Sequence, residues 1–182
     1  MCNKLLNTAR LGSICVLLIC SSAFAMSQRL RADKEGAIRE LISKWIDAYQ
    51  HLDAKQIAKL ETPDMETVDR FGELHVPSGR DENERLWSDS FEVISANAKH
   101  PVVTIDHIRL IRPDVAIVQI IWRYPDGILL VDGQRLPPFS QADTFVVIRS
   151  NGRWLVAAHN MQEKKDSSTR SKLGCDEQVS KR

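Results

Sequence analysis

Cysteine is nearly absent from the working part of this chain. Cys2, Cys15 and Cys20 fall within the first twenty residues, and the fourth, Cys175, sits in a polar C-terminal run. No Cys-x-x-Cys pair exists, so the metal and redox chemistry of that motif is excluded. Charge of one sign is also lacking: 25 Lys+Arg stand against 24 Asp+Glu, a net of +1. Such a balance gives no electrostatic footprint for a phosphate backbone, and no nucleic-acid partner is expected. Only 8 Gly and 7 Pro occur, which excludes collagen-like or Pro/Gly-driven disorder. There is no G-x-G-x-x-G, no G-x-S-x-G and no H-E-x-x-H. His51, His75, His100, His107 and His159 form no i, i+4 pair. No cofactor, no nucleophile elbow and no metal site are therefore expected.

Leu11 to Ala25 carries no charge, is preceded by Lys4 and Arg10 and closes on Ala23-Phe24-Ala25. That is the layout of a secretory signal peptide, with the cut after Ala25. The run falls short of the ~20 residues that span a bilayer. The expected organisation is a signal peptide over 1–25, a linker over 26–32, one folded domain over 33–162 and a disordered polar tail over 163–182. Loss of residues 1–25 removes two positive charges and no negative one, taking the net from +1 to −1. The product is expected to be exported, periplasmic or secreted, without stable membrane association after cleavage. It keeps only Cys175, so core packing must carry the fold.

The domain begins with helices. Ile38, Leu41, Ile42, Trp45, Ile46 and Tyr49 form one apolar stripe on a helix from about Lys34 to His51. Asp53 and Gln56 predict a capping box that opens a short helix, stopped near Thr62-Pro63. Asp81 and Glu84 predict another box, for a third helix buried through Leu86, Trp87, Ser90, Phe91 and Ile94. A small hairpin is expected between the last two, over Glu66–Phe71 and Glu73–Pro77. Strands follow at Val102–Ile111, Val115–Tyr124, Ser140–Arg149 and Arg153–Met161, with a variable hairpin around Asp132-Gly133. Their short turns require antiparallel pairing. The expected fold is α+β: a curved antiparallel sheet covered by helices on one face, with a cone-shaped pocket between.

Several segments carry a family resemblance. The helix Ala37-Ile38-x-x-Leu41-Ile42-x-x-Trp45-x-x-Ala48-Tyr49, followed by Leu52-Asp53, resembles the opening of SnoaL-like domains. Phe71-Gly72, Gly79-Arg80, Arg109-Leu110-Ile111-Arg112-Pro113-Asp114-Val115-Ala116 and Gly152-Arg153-Trp154-Leu155-Val156-Ala157-Ala158-His159-Asn160 resemble later signatures of the same family. The resemblance runs in order over about residues 34–162 and is nearest the SgcJ/EcaC branch of the nuclear-transport-factor-2-like superfamily. It implies a cystatin-like cone, a curved sheet wrapped around three N-terminal helices, often paired as a homodimer through the open sheet face. It leaves function open, because that superfamily includes cyclases, isomerases, epoxide hydrolases, dehydratases and members that only bind or assemble.

Acid–base work in such a cone needs a titratable group desolvated by apolar neighbours and a donor for a developing oxyanion. His159 and Asp106 are the candidate bases. Tyr49, Trp45, His75, Trp87, Gln119 and Asn160 are the candidate ligand-binding residues. Alternation puts Asp106 and His107 on opposite faces, so at most one of them looks inward. Two functions stand side by side. One is a binder of a small apolar molecule with cyclase- or isomerase-type proton transfer. The other is a non-catalytic association module whose open sheet face, including Trp122 and Ile120, closes a homodimer.

Overall fold

The computed structural model describes residues 5–164, without side-chain detail for residues 5–25 and 27. The expectations for Cys175 and for tail residues 165–182 lie outside the described residues. The chain divides into two compact units, residues 1–38 and 39–182. Helix α1 (Leu5–Gln50) runs through the first and into the second. It therefore extends well upstream of the expected start at Lys34. No proline interrupts residues 5–50, and the uncharged stretch is itself rich in helix-forming Leu and Ala.

The second unit carries the site. Within it α1 buries Leu41, Ile42, Trp45 and Ala48, the 3.6-residue stripe seen in the sequence. Helix α2 (Ala54–Leu60) has the expected cap at Asp53, whose carboxylate accepts from the Gln56 backbone amide at 2.9 Å, but the box is not closed: the Asp53 amide donates to the Ala48 carbonyl at 2.9 Å instead of to the Gln56 side chain. Helix α3 (Arg80–Glu92) starts differently from the expected Asp81/Glu84 box. Its N-cap is Gly79, and Glu82 reaches back to accept from Ser78 N–H and Oγ at 2.7 and 2.5 Å. Its buried row is Asn83, Trp87 and Phe91, at four-residue spacing.

The strands are β1 (Glu61–Val68), β2 (Leu74–His75), β3 (Val102–Arg112), β4 (Val115–Tyr124), β5 (Ile128–Leu129), β6 (Arg135–Leu136), β7 (Phe139–Ser150) and β8 (Arg153–Glu163). Six of them form one sheet in the order β2-β1-β8-β7-β4-β3, while β5 and β6 make a separate hairpin. The expected meander β3-β4-β7-β8 is antiparallel throughout. The sheet as a whole is mixed, because β1 lies parallel to β8. Its α+β class and three N-terminal helices agree with the sequence.

Alternation fixes the faces. Val118, Ile120, Trp122 and Tyr124 of β4 point inward with Phe145 and Val147 of β7 and Trp154 and Val156 of β8. Each large apolar side chain so buried contributes about 1.5–3 kcal/mol. Trp122 and Ile120 therefore belong to the core and not to the open face. The open face carries half-buried Ile117, Ile121, Val146, Ile148 and Leu155 instead.

Candidate active site

A cavity of about 490 Å³ lies between the helices and the inner face of the sheet. That is within the range of small-molecule sites. Trp45 and Tyr49 of α1, Trp87 and Phe91 of α3, and Trp122 and Tyr124 of β4 form its aromatic walls. Ile128, Leu130, Leu136 and Phe139 close one side, while Arg70 and Phe71 reach it from the β1–β2 hairpin. Gln141, Asp143, His159 and Met161 supply the wall from β7 and β8.

Two buried polar assemblies support these walls. In the first, the Asp143 carboxylate accepts from Gln141 Nε2 at 2.6 Å and faces His159 Nε2 at 3.0 Å. The side chains of His159 and Asp143 are 1% and 2% exposed. The register pairs Phe145 with His159 and places Asp143 two residues earlier on the same face of β7. The imidazole stacks on Phe145 at 4.2 Å between ring centres. A carboxylate facing Nε2 selects the N–H form at that nitrogen. The other ring nitrogen, Nδ1, is buried and has no protein partner.

In the second, Glu61 is fully buried at the start of β1. Its Oε1 accepts from Trp45 Nε1 at 2.8 Å, and its Oε2 from Asn83 Nδ2 at 2.7 Å and Trp87 Nε1 at 3.0 Å. Arg80 donates to the carbonyls of Ala58 and Glu61 beside it. Burial raises the Glu61 carboxyl above its ordinary value, while the three N–H donors pull the other way. Glu61 thus ties together two indoles that form cavity walls.

The hydroxyls of Tyr49 and Tyr124 meet at 3.4 Å. Burial raises the proton affinity of both phenols, so both stay protonated. Only one proton can lie between two hydroxyls. The second remains free to donate to an oxygen in the cavity.

Of the residues singled out in the sequence, Tyr49, Trp45, Trp87 and His159 line this cavity. His75 lines a neighbouring pocket of about 180 Å³. Asp106, Gln119 and Asn160 do not line the cavity and are solvent-exposed. A β-bulge falls at Asp106, between the pairs Ile105–Ile120 and His107–Gln119. It breaks the alternation and leaves both Asp106 and His107 exposed. Gln119 and Asn160 pair with Thr144 from either side, on the outer face. Sequence reasoning missed Asp143, Gln141 and Glu61. The first two carry a signal, because Gln141, Asp143, Phe145 and Val147 share one face of a strand.

Asp69, Glu73 and His75 place one possible metal-binding atom each within 4.8 Å of one another, the one such group among the described residues. Helical spacing could not reveal it, because the register of a hairpin assembles it. Asp69 is already engaged: Oδ1 accepts from the amides of Phe71 and Glu73 at 2.8 and 3.0 Å, and Oδ2 faces His75 Nε2 at 3.3 Å. Although desolvation opposes them, these donors hold its carboxyl below the ordinary value. The group clasps the hairpin.

No family model and no curated protein sequence matches this chain. Solved structures do match its fold. An uncharacterized protein with a cystatin-like fold from Caulobacter vibrioides aligns with a TM-score of 0.64 at 19% identity, over 75% of this chain and 94% of that one. A ketosteroid isomerase-like protein from Erwinia carotovora atroseptica aligns with a TM-score of 0.62 at 16% identity, over 72% and 96%. An NTF2-like protein of unknown function from Pseudomonas putida aligns with a TM-score of 0.58 at 18% identity, over 76% and 92%. The three-helix, curved-sheet unit described above thus has the cystatin-like, nuclear-transport-factor-2-like fold.

Proposed function

We propose that this protein binds a small, largely apolar molecule in its aromatic cavity and moves a proton on it, in the manner of a cyclase or isomerase. One observation carries the reading: a buried carboxylate holds one nitrogen of a cavity-lining histidine and leaves the other nitrogen without a partner. That is the arrangement of a histidine base oriented by an acid. His159 Nδ1 takes a proton from carbon next to a carbonyl, and Asp143 stabilises the imidazolium that forms. The free hydroxyl proton of the Tyr49–Tyr124 pair hydrogen-bonds the enolate oxygen. His159 then returns the proton at a second carbon. Nδ1, with the proton held on Nε2, is the acceptor that the ligand's proton meets, and the site tightens around it. The likeness to a ketosteroid isomerase-like protein favours this class through the fold alone.

The test is a thermal-shift screen of cyclic ketones, followed by proton NMR of the α-protons in D₂O. Binding is expected to raise Tm. Exchange is expected with the wild type and is expected to disappear in His159→Gln and Asp143→Asn. Binding without exchange would establish the non-catalytic reading. Failure of every ketone to stabilise the protein would remove the proposal.

The SgcJ/EcaC branch, export and dimerisation belong to the same reading. The signal-peptide layout of residues 1–25 supports export with cleavage after Ala25. The half-buried apolar rows on the outer sheet face support a homodimer. Between Ile117–Val146 and Ile121–Ala142 runs a polar row, His107–Gln119–Thr144–Asn160, across four strands. Such a row sets register between two copies.

A further inference from the structure

We propose that the ligand of this cavity is an acid: an aromatic or alicyclic body held in the cone, with one anionic group docked on Arg70. This rests on the cavity-binding reading above and adds the chemical class of the molecule. Arg70 lines the cavity and is itself solvent-exposed, so it stands at the opening. Its guanidinium carbon sits 4.8 Å from the centre of the Phe71 ring and 5.9 Å from that of Phe139. Two aromatic faces hold its direction without consuming its charge.

No carboxylate among the described residues forms an ion pair with Arg70. The nearest in sequence, Asp69, also lines the cavity, but its oxygens are committed to the Phe71 and Glu73 amides and to His75. The other cavity carboxylate, Asp143, is committed to Gln141 and His159. Burial raises both buried phenols, Tyr49 and Tyr124, and the positive charge of Arg70 acts in the opposite sense on each. The cavity therefore presents an apolar middle, a proton-transfer pair on its β7–β8 wall and a single uncommitted cation at its opening. A guanidinium fork matches a carboxylate bidentately. A neutral apolar molecule would leave that fork unused.

Two fluorescent probes test the assignment on the full chain. 8-Anilinonaphthalene-1-sulfonate and N-phenyl-1-naphthylamine share one body and differ by the sulfonate. Energy transfer from the tryptophans reports binding, and the Arg70 variants locate it at the cavity opening. The anionic probe is expected to bind the wild type about tenfold more tightly, the scale of one charge-assisted hydrogen bond. That preference is expected to vanish in Arg70→Gln, to survive in part in Arg70→Lys, and to shrink with added salt. Equal affinities in the wild type, or an unchanged ratio in Arg70→Gln, would overturn the acid assignment and leave the cavity reading intact. Absence of transfer from either probe would overturn the cavity reading, and the assignment with it. Tryptophan emission and Tm of each variant verify that the wall is unchanged.

Discussion

Glu61 gives the most quantitative prediction. Three buried N–H donors, from Trp45, Asn83 and Trp87, converge on one carboxylate. Glu61→Ala leaves all three without an acceptor, at about 1–3 kcal/mol each. Relief of the carboxylate's own desolvation offsets part of that sum, leaving a net loss of about 2–5 kcal/mol. Glu61→Gln is milder. Its amide keeps one oxygen, and Asn83 can turn its amide to meet the new NH₂. One indole N–H stays orphaned in either orientation, at about 1–3 kcal/mol. A domain of this size loses about 4 °C of Tm per kcal/mol. Urea unfolding followed by tryptophan emission reads both variants directly, because two of the four tryptophans touch this carboxylate. Exposed Glu66→Gln on the same strand is the control, with an expected change within about 0.5 kcal/mol. The pH dependence has a definite sign. Burial raises the folded-state value of Glu61 above its ordinary 4.5. The associated stability is complete below that ordinary value and is lost as pH rises through the folded one. Wild type is therefore expected to lose stability relative to Glu61→Gln as pH climbs from about 4.5. Wild-type stability in Glu61→Ala, or a difference that grows with the opposite sign, would refute the reasoning.

Other outcomes follow from the same geometry. His159→Ala leaves Gln141 as the one donor to the buried Asp143 carboxylate and is expected to cost about 3–5 kcal/mol in chemical denaturation; His159→Gln restores a donor and is expected to recover part of it. Gly127 has φ +67°, and a Cβ there would overlap the Leu136 carbonyl oxygen. Gly127→Ala is thus expected to disturb the β5–β6 hairpin and cost more than about 1 kcal/mol, read by Tm. Ile121→Arg on the outer sheet face is expected to turn dimers into monomers in light scattering, whereas unchanged mass would count against the dimer. N-terminal sequencing of the exported protein is expected to begin at Met26; an intact Met1 would remove the cleavage expectation.

Periodicity made the helical wall of the cavity legible. Trp45 and Tyr49 could be read because a stripe at 3.6-residue spacing must face a core. The faces of the strands were less legible. Gln119 interrupts an apolar strand, and either face was open to it until the register with Thr144 was known. Asp106 depended on a bulge, which no pattern of residue types announces. Glu61 was hidden for another reason. Its partners lie 16, 22 and 26 residues away, so nothing local marks it as a buried acceptor. Asp143 could have been found, since it alternates with Phe145 and Val147 on one face.

The place of β8 has a consequence for how the molecule comes into being. This strand, the last among the described residues, lies in the interior of the sheet, between β7 and β1. Strands β3, β4 and β7 can zip together as neighbours in sequence, but β1 has no parallel partner until β8 arrives. Its pairing with β8 joins Glu61 to Val156 and Thr67 to His159, across most of the domain. Such a closure is slow, because chain entropy is lost before the contacts form. Before β8 is made the chain holds only part of its sheet, with Asp143 of β7 and the Glu61 strand still apart. A chain cut before β8 retains neither His159 nor the strand that joins the β1–β2 hairpin to the rest of the sheet, so fold and site are completed in one event.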